Sequence, residues 1–383
     1  MPNLILLSLL ASFPPLSTDM YLPAIPTLQS AWNISFATAN LSLVLFMATF
    51  SVCLLIHGPL SDRFGRRPIL IYGILLFIAG TALCAVSNSI DMLLVGRCVQ
   101  AAGAAAASSL ALALSKDLYS GPERQKILAY IGVIMALAPM LAPTFGGLML
   151  KFASWRWIFV TQAGLALVGL YGVYRLKEPL TVFTKGGILA MAGRYVSVSK
   201  NLPFTVLSMG FALMVLPHFG FIGGSTDIYM NGFGMSEQTF GLYFGFNAMG
   251  FMLGSFACTR LVGVYKPLHM LYFTIGAFFC AGLLMLIMGG QTPIAVAIPM
   301  VFITFCVGFS RPISNSMILD QVDTDVGAAA GILTFELFLI AAVSMQLISF
   351  DWGDKPRLLG WAALVSALVP LAALQLVKKR VRF

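Results

Sequence analysis

The chain has 383 residues, of which 59% are hydrophobic and 10% are charged, and its mean hydropathy is +0.92. A soluble globular domain carries about 25% charged residues, so this composition excludes a soluble domain. It predicts an all-α polytopic membrane protein with little mass outside the bilayer.

Twelve stretches are long and apolar enough to cross a bilayer, since a membrane-spanning helix needs about 20 mostly apolar residues. They lie near residues 3–29, 38–58, 68–87, 92–115, 125–150, 156–175, 203–228, 238–261, 267–289, 293–317, 328–350 and 357–377. The segment 178–202 is the longest polar connection, and it divides the chain into two six-helix bundles, 1–177 and 203–383. Because the N-terminus lacks a basic region and a small-residue cleavage site, we expect no removable signal peptide.

The positions of the basic residues predict the orientation of these helices. One set of loops holds 17 lysines and arginines, and the opposite set holds four. Cytoplasmic loops carry the excess of such residues, so we expect both termini and the central loop to be cytoplasmic. The net charge of +9 is then mostly a topology signal, and no nucleic-acid partner is expected. The larger set is Arg63, Arg66, Arg67, Lys116, Arg124, Lys126, Arg175, Lys177, Lys185, Arg194, Lys200, Arg260, Lys266, Lys378, Lys379, Arg380 and Arg382.

The first predicted span contains a carboxylate, Asp19, followed by Tyr21. An acid near the bilayer centre costs about 2.5–3.5 kcal/mol on insertion scales, so it is rare without a function. We therefore expect Asp19 to carry a proton, with Tyr21 lining a substrate cavity; the alternative is a carboxylate that reaches out to the headgroups. The sequence 17–22 is echoed at 225–230, which indicates an internal duplication or a chance match.

The connection between the second and third predicted spans contains two glycines, three arginines and an aspartate, and reads Gly58-Pro59-Leu60-Ser61-Asp62-Arg63-Phe64-Gly65-Arg66-Arg67-Pro68. The glycines permit a tight turn. We expect Asp62 at a helix start and Pro68 in the first turn of that helix. The arginines offer charge partners at the cytoplasmic interface. The alternative is a basic loop that only sets the topology.

The fourth predicted span carries Arg97 and, one turn later on the same face, Gln100. A buried guanidinium needs a partner, and Asp19 is the natural candidate. Gln100 is a candidate for the cavity wall. The alternative for this pair is interhelical contact without a role in transport.

The fifth predicted span has a face of small residues and prolines. Prolines permit kinks, and small residues let a neighbouring helix approach closely. General helix packing is the alternative explanation for this face. The residues concerned are Gly132, Pro139, Pro143, Gly146 and Gly147.

These motifs resemble signatures of the major facilitator superfamily. The run 58–67 is similar to its Gly-x-Leu-x-Asp-Arg-x-Gly-Arg-Arg motif, and the fourth span to its Arg-x-x-Gln-Gly motif, with Ala101 at the usual glycine. The fifth span is similar to the drug-exporter motif Gly-x-x-x-Gly-Pro-x-x-Gly-Gly, with Ala138 and Ala142 replacing two glycines. Residues 17–26 resemble the bicyclomycin- and chloramphenicol-resistance branch of twelve-span drug:proton antiporters.

The resemblance implies twelve helices in two pseudo-symmetric six-helix bundles related by an axis along the membrane normal. It also implies that the loop motif is a gate latch, that Arg97 lies beside the proton-carrying acid, and that the fifth span serves antiport.

In the second half, Glu336 is a second candidate proton or cation site. Asn247, Arg311 and Asn315 are candidates for the cavity wall or for interhelical contacts, and Asp227 for the cavity or the membrane interface. The histidines and the six cysteines show no metal spacing, so we expect no metal and no cofactor except the proton.

We therefore expect a monomeric proton-coupled antiporter that exports an amphiphilic small molecule by alternating access and contacts membrane lipid. The first alternative is the same scaffold exporting an endogenous metabolite, such as a siderophore or sugar. An importer or uniporter is a further alternative. A membrane enzyme is not favoured, since the sequence shows no Ser/His/Asp set, metal cluster or phosphate loop.

Overall fold

The structure, a computed structural model, describes residues 2–180, 183 and 188–377. Twelve helical segments in this part of the chain are long and apolar enough to cross a membrane, and each begins and ends within six residues of its prediction. Lys185, Lys378, Lys379, Arg380 and Arg382, used for the orientation, lie outside the described residues. Spans 1 to 12 are Leu4–Trp32, Phe36–Phe64, Arg66–Ala85, Ile90–Leu118, Gly121–Phe152, Arg156–Arg175, Leu202–Gly232, Glu237–Leu261, Pro267–Met288, Pro293–Leu319, Val326–Ser349 and Lys355–Val377.

The chain packs as two compact units. The first comprises Met1–Gly187 with Ser236–Gly241, and the second Ile188–Met235 with Leu242–Phe383. In the first unit, span 3 packs on spans 4 and 6, and span 1 on span 5; in the second, span 9 packs on spans 10 and 12, and span 7 on span 11. The same pairs of helices therefore pack in both units, as expected for two pseudo-symmetric bundles.

Small residues allow the closest of these approaches. A Cβ on Gly103 of span 4 would lie 2.3 Å from the Phe77 amide nitrogen of span 3, and one on Gly254 of span 8 would lie 2.1 Å from the Phe305 carbonyl oxygen of span 10. At both positions the backbones meet, so a larger residue would push the helices apart.

Span 1 is interrupted immediately after Asp19. It consists of a helix Pro2–Asp19, a 3₁₀ turn Leu22–Ala24 and a helix Ile25–Trp32. Pro23 and Pro26 lie in the first turns of the second and third pieces. Because proline has no backbone N–H, it cannot continue the hydrogen bonding of the preceding helix. Asp19 therefore lies inside the first span, as expected, and it is the last residue of the first helical piece of that span.

Span 7 is interrupted twice. It consists of a helix Leu202–Ala212, a 3₁₀ turn Leu213–Val215, a helix Leu216–Thr226 and a π-helical turn Asp227–Gly232. Asp227 therefore follows the end of an α-helix, as Asp19 closes one. Between the two sets of spans, the segment 178–202 contains a further helix, Ile188–Ser199, in the second unit.

Candidate functional site

The first unit is organised around the buried guanidinium of Arg97, which has no exposed surface. Its Nη1 donates to the Ser17 carbonyl oxygen at 2.9 Å and to Gln100 Oε1 at 2.5 Å, and its Nε donates to the Ser42 carbonyl oxygen at 3.3 Å. The guanidinium carbon lies 4.3 Å from the Phe46 ring centroid and 5.0 Å from that of Tyr21. Cation–π contacts and carbonyl dipoles thus surround this charge.

The helix break after Asp19 supplies the acceptors for this network. The last four carbonyls of a helix have no partner within it, and they carry the negative end of the helix dipole. The Ser17 carbonyl binds Arg97, and the Leu16 carbonyl accepts from Gln162 Nε2 at 3.0 Å. A cation is therefore held in the bundle by a broken helix rather than by a carboxylate.

Gln100 connects this network to spans 3 and 6. Its Nε2 donates to Thr81 Oγ1 at 2.9 Å and to Gln162 Oε1 at 2.8 Å. Tyr21 joins from span 1, with its hydroxyl 2.9 Å from Ser42 Oγ. Gln100 and Tyr21 both have no exposed surface, so in this structure the two predicted cavity residues are members of a buried polar cluster.

The expected ion pair between Arg97 and Asp19 is not formed among the described residues. Asp19 is 6% exposed, and its Oδ1 accepts from Thr18 Oγ1 at 3.0 Å. Arg97 Nη1 instead donates to the Ser17 carbonyl, two residues before Asp19, and Arg97 Nη2 is buried without a hydrogen-bond partner among the described residues. The first unit therefore contains a buried carboxyl group and a buried cation that do not form an ion pair with each other.

Span 5 meets span 1 immediately beyond Asp19. A Cβ on Gly146 would lie 2.0 Å from the Met20 carbonyl oxygen, whereas one on Gly132 would meet nothing within 4 Å. Gly147 faces the Glu237 backbone in the segment 236–241 of the same unit, and its carbonyl accepts from Gln238. Pro139 and Pro143 lie inside the continuous helix of span 5. Of the three motif glycines, then, Gly146 is the one that close packing against the Asp19 segment requires, whereas Gly132 meets no neighbour.

The non-helical connection between spans 2 and 3 is a single residue of the loop motif, Gly65, at φ +101°. Span 2 continues to Phe64, so the expectation of Asp62 at a helix start is wrong, as is a turn role for Gly58, which lies inside the helix. Pro68 does lie in the first turn of span 3. Only Gly65 needs the left-handed conformation that glycine tolerates.

Arg66 is the motif residue that makes most of the ion pairs. Its Nη1 lies 2.5 Å from Asp62 Oδ1, and its Nε lies 2.8 Å from Asp117 Oδ2 at the end of span 4. Its Nη1 also donates to Ser61 Oγ at 2.6 Å. Arg63 is exposed, and its guanidinium lies 5.0 Å from the Phe64 ring centroid. The motif therefore ties spans 2, 3 and 4 together.

Glu178 is a member of this cluster that sequence reasoning missed. Its carboxylate accepts from the Arg66 amide at 3.0 Å and from the Arg67 amide at 2.9 Å, at the start of span 3. A carboxylate there satisfies free N–H groups and complements the helix dipole. Its position 112 residues from Arg66 explains why no local capping pattern indicated it.

The second unit contains a second buried carboxyl, Glu336, at the middle of span 11 and 9% exposed. Its Oε1 accepts from Ser208 Oγ at 3.2 Å, while Oε2 is buried without a hydrogen-bond partner among the described residues. Arg311 is near enough for an electrostatic interaction but forms no ion pair in the described part of the chain. Asn315, one turn beyond Arg311, is half-buried.

Arg311 is not the counterpart of Arg97. Arg97 is the eighth residue of span 4, whereas Arg311 is the nineteenth of span 10. Arg97 and Arg311 are 214 residues apart, close to the 208 that separate residues 17–22 from their echo at 225–230. Because the two arginines do not lie at the same depth in their spans, this spacing does not support the duplication.

A second group of hydrogen-bonded side chains in this unit includes His218, which no sequence motif indicated. Its Nδ1 lies 3.3 Å from Thr304 Oγ1, which donates to Asn247 Oδ1 at 2.9 Å. The His218 ring stacks on Phe251 with centroids 5.8 Å apart. His218 lies just after the 3₁₀ interruption of span 7, so the break that places it was not readable from composition.

Asp227 is an ion-pair residue at the end of span 7. Its Oδ2 lies 2.5 Å from Lys355 Nζ at the start of span 12, and its Oδ1 accepts from Asn231 at 2.8 Å. The side chain is 24% exposed. Of the two interpretations that the sequence left open, this position fits the membrane interface.

Comparison with known proteins identifies the scaffold. The sequence profile described as Major Facilitator Superfamily matches residues 7–345. The chain belongs to the Major Facilitator Superfamily. Among curated relatives, it is 30% identical to the uncharacterized MFS-type transporter YdgK of Bacillus subtilis (strain 168), over 98% of this chain and 95% of that protein. It is 28% identical to the multidrug resistance protein MdtL of Klebsiella pneumoniae (strain 342), over 83% of this chain and 81% of that one.

Solved structures of major facilitator proteins share the fold. The crystal structure of a D-xylose-proton symporter matches with a TM-score of 0.72 at 17% identity, covering 96% of both chains. That of a peptide transporter, POT, matches with a TM-score of 0.79 at 14% identity, covering 100% of this chain and 96% of that one. The predicted family and twelve-helix fold are confirmed, and the protein is a multi-pass membrane transporter, not an enzyme.

Proposed function

We propose that this major facilitator protein is a proton-coupled antiporter that exports amphiphilic small molecules or drugs across the bacterial inner membrane by alternating access. In this proposal it works as a monomer, and the proton is its coupling ion, with no other cofactor.

The observation that carries the proposal is the environment of Asp19. The carboxyl is buried in the first unit, closes a broken helix, and has a hydroxyl rather than a cation as its hydrogen-bond donor. Ionisable residues inside membrane spans are costly, and they commonly mark ion and proton pathways. Because Arg97 is held by backbone carbonyls, Asp19 is free to exchange a proton without breaking a salt bridge.

The motif of span 5 resembles that of drug exporters, which favours export. It also contacts the segment that carries Asp19. Gly146 packs directly on the Met20 carbonyl, next to Asp19. A movement of span 5 would therefore displace Met20, the residue that follows Asp19. Resemblance to drug exporters and 28% identity to a protein named for multidrug resistance favour a drug-like substrate.

The test uses purified protein in liposomes with an inward proton gradient. We expect efflux of ethidium or chloramphenicol that a protonophore abolishes, and proton movement opposite to that of the substrate. Asp19→Asn is expected to abolish proton coupling but to retain substrate binding. Asp91→Asn, at an exposed aspartate in the first turn of span 4, is the matched control and is expected to behave like the parent.

Glu336→Gln separates the two candidate carriers. If Asp19 is the main carrier, this variant retains coupled efflux at a reduced rate. Full proton-coupled export by Asp19→Asn, with loss in Glu336→Gln, would reassign the carrier to Glu336. If export by the parent continued unchanged in the presence of the protonophore, the proposal would be overturned. Export of one metabolite only would favour the alternative, an exporter of an endogenous metabolite.

A further inference from the structure

A groove on the membrane-facing side of the first unit lies between spans 3 and 6. Its volume is about 360 Å³, and its walls are formed by Ile71, Leu75, Leu167, Leu170, Tyr171 and Tyr174. Leu75, Leu167 and both tyrosines are each at least half exposed. These residues recur one turn apart on both helices, so the groove runs along the spans, as a hydrocarbon chain in the bilayer does.

Two arginines close one end of this groove. Arg67 is the second residue of span 3 and Arg175 is the last residue of span 6. Arg67 Nη2 donates to the Tyr174 carbonyl oxygen at 3.0 Å, and its guanidinium lies 5.6 Å from the Tyr174 ring centroid. Arg175 Nη1 donates to the Tyr171 hydroxyl at 2.9 Å, with its guanidinium 5.8 Å from that ring. The two tyrosines of the groove thus position both guanidinium groups.

The charge at this end is positive. Lys177, also exposed, follows Arg175. Glu178 is the nearby carboxylate, and its oxygens are occupied by the Arg66 and Arg67 backbone amides. A guanidinium has five N–H donors. Each hydrogen bond named above uses one of them, and Arg67 Nε is buried. The other N–H donors of Arg67 and Arg175 stay available where an apolar groove meets the membrane interface.

The geometry points to a binding site for an anionic phospholipid, with one acyl chain in the groove between spans 3 and 6 and the phosphate between Arg67 and Arg175. Arginine pairs with phosphate through several parallel hydrogen bonds, and basic pockets between membrane helices select anionic headgroups. The bilayer supplies this ligand at the depth of the groove. The site lies on Arg67 of the loop motif, so the lipid would contact the segment that joins spans 2 and 3.

The test is native mass spectrometry of the purified protein with phosphatidylglycerol and phosphatidylethanolamine of identical acyl chains. We expect the parent to bind phosphatidylglycerol about fivefold more tightly, and Arg175→Ala to lose that preference. Arg260→Ala is the matched control, since Arg260 is also an exposed arginine at a span end with its guanidinium 5.1 Å from an aromatic ring, that of Phe256. Its preference is expected to match the parent.

A groove-filling variant tests the acyl-chain part. Leu75→Trp, at a half-exposed position, is expected to weaken the binding of both lipids and to leave the melting temperature unchanged. Equal affinity for the two lipids, an unchanged preference in Arg175→Ala, or displacement of phosphatidylglycerol by inorganic phosphate at equal concentration would overturn the proposal. Should Arg175→Ala fail to fold, Arg175→Gln removes the same charge and serves in its place.

Discussion

At the scale of single residues, the first unit shows how a membrane bundle can hold a cation without a counter-ion. Arg97 is in contact with two backbone carbonyls, a glutamine oxygen and two aromatic rings. Together these acceptors distribute the positive charge over dipoles that are already fixed by the fold. A carboxylate partner would couple the charge of Arg97 to the proton on that carboxylate. In this arrangement the proton exchange proposed for Asp19 would leave the interactions of Arg97 unchanged.

Gln100 is the residue on which this arrangement depends most. It accepts from Arg97 and donates to Thr81 and Gln162, so it links spans 3, 4 and 6. Gln100→Leu keeps the volume but removes one hydrogen bond each from Arg97, Thr81 and Gln162, and a buried group left unsatisfied, such as Gln162 Oε1, costs about 1–3 kcal/mol. We expect a loss of this order in the free energy of unfolding, measured by denaturation of the detergent-solubilised protein.

The control for that change is Gln291→Leu, at an exposed glutamine in the connection between spans 9 and 10. Its effect is expected to stay within about 0.5 kcal/mol, as for most surface substitutions. If both variants unfold like the parent, Gln100 does not hold the network together.

At the scale of helices, the same substitution on span 5 should have opposite effects at two glycines. Gly146→Ala brings a Cβ to 2.0 Å from the Met20 carbonyl, so the spans must separate. Gly132→Ala meets open space and gains up to about 1 kcal/mol of helix propensity. We expect a lower melting temperature and impaired transport for Gly146→Ala, and an equal or higher melting temperature for Gly132→Ala. Equal behaviour of the two would show that span 5 does not pack tightly on span 1.

The start of span 3 offers a test of long-range capping. Glu178→Gln keeps an acceptor oxygen but removes the negative charge that faces the Arg66 and Arg67 amides. Charge at a helix N-terminus is worth about 0.3–1 kcal/mol at the surface and up to about 2 kcal/mol when partly buried. We expect destabilisation toward the upper end of this range by denaturation, and a smaller loss, about 0.3–1 kcal/mol at most, for Glu123→Gln, because that exposed glutamate in the first turn of span 5 interacts with the helix dipole only at the surface. A stability equal to the parent's would contradict the capping role.

These helices also show what a sequence can and cannot indicate. All twelve spans were predictable because apolar length alone defines them. The interruptions were not, although Pro23 and Pro26 were visible, because a proline in a membrane helix produces either a kink or a break depending on its neighbours. The partner of Arg97 was predicted wrongly for this reason: a continuous first helix would leave Asp19 as the natural acceptor, whereas the break provides carbonyls.

At the scale of the whole molecule, the two units repeat the same helix pairs but not the same chemistry. Both echo segments place an aspartate where an α-helix ends. In the first unit that residue, Asp19, is buried beside the arginine network, and in the second, Asp227 pairs with Lys355 near a span end. The second unit has its buried carboxyl on span 11 instead, at Glu336. The repeated helix pairs are what a duplication predicts, whereas the buried polar sites differ between the two units.

The orientation of this scaffold is predicted by the distribution of charge, with 17 basic residues on one set of loops against four on the other. An even number of spans predicts that both ends of the chain lie on the same side of the membrane, and the positive-inside rule predicts that this side is cytoplasmic. We expect a green fluorescent protein fused after Phe383 to fluoresce and alkaline phosphatase fused there to be inactive. Phosphatase fused after Asn88, between spans 3 and 4, should be active. The reverse pattern would invert the orientation, place the Arg67 and Arg175 cluster in the outer leaflet, and contradict export in the proposed direction.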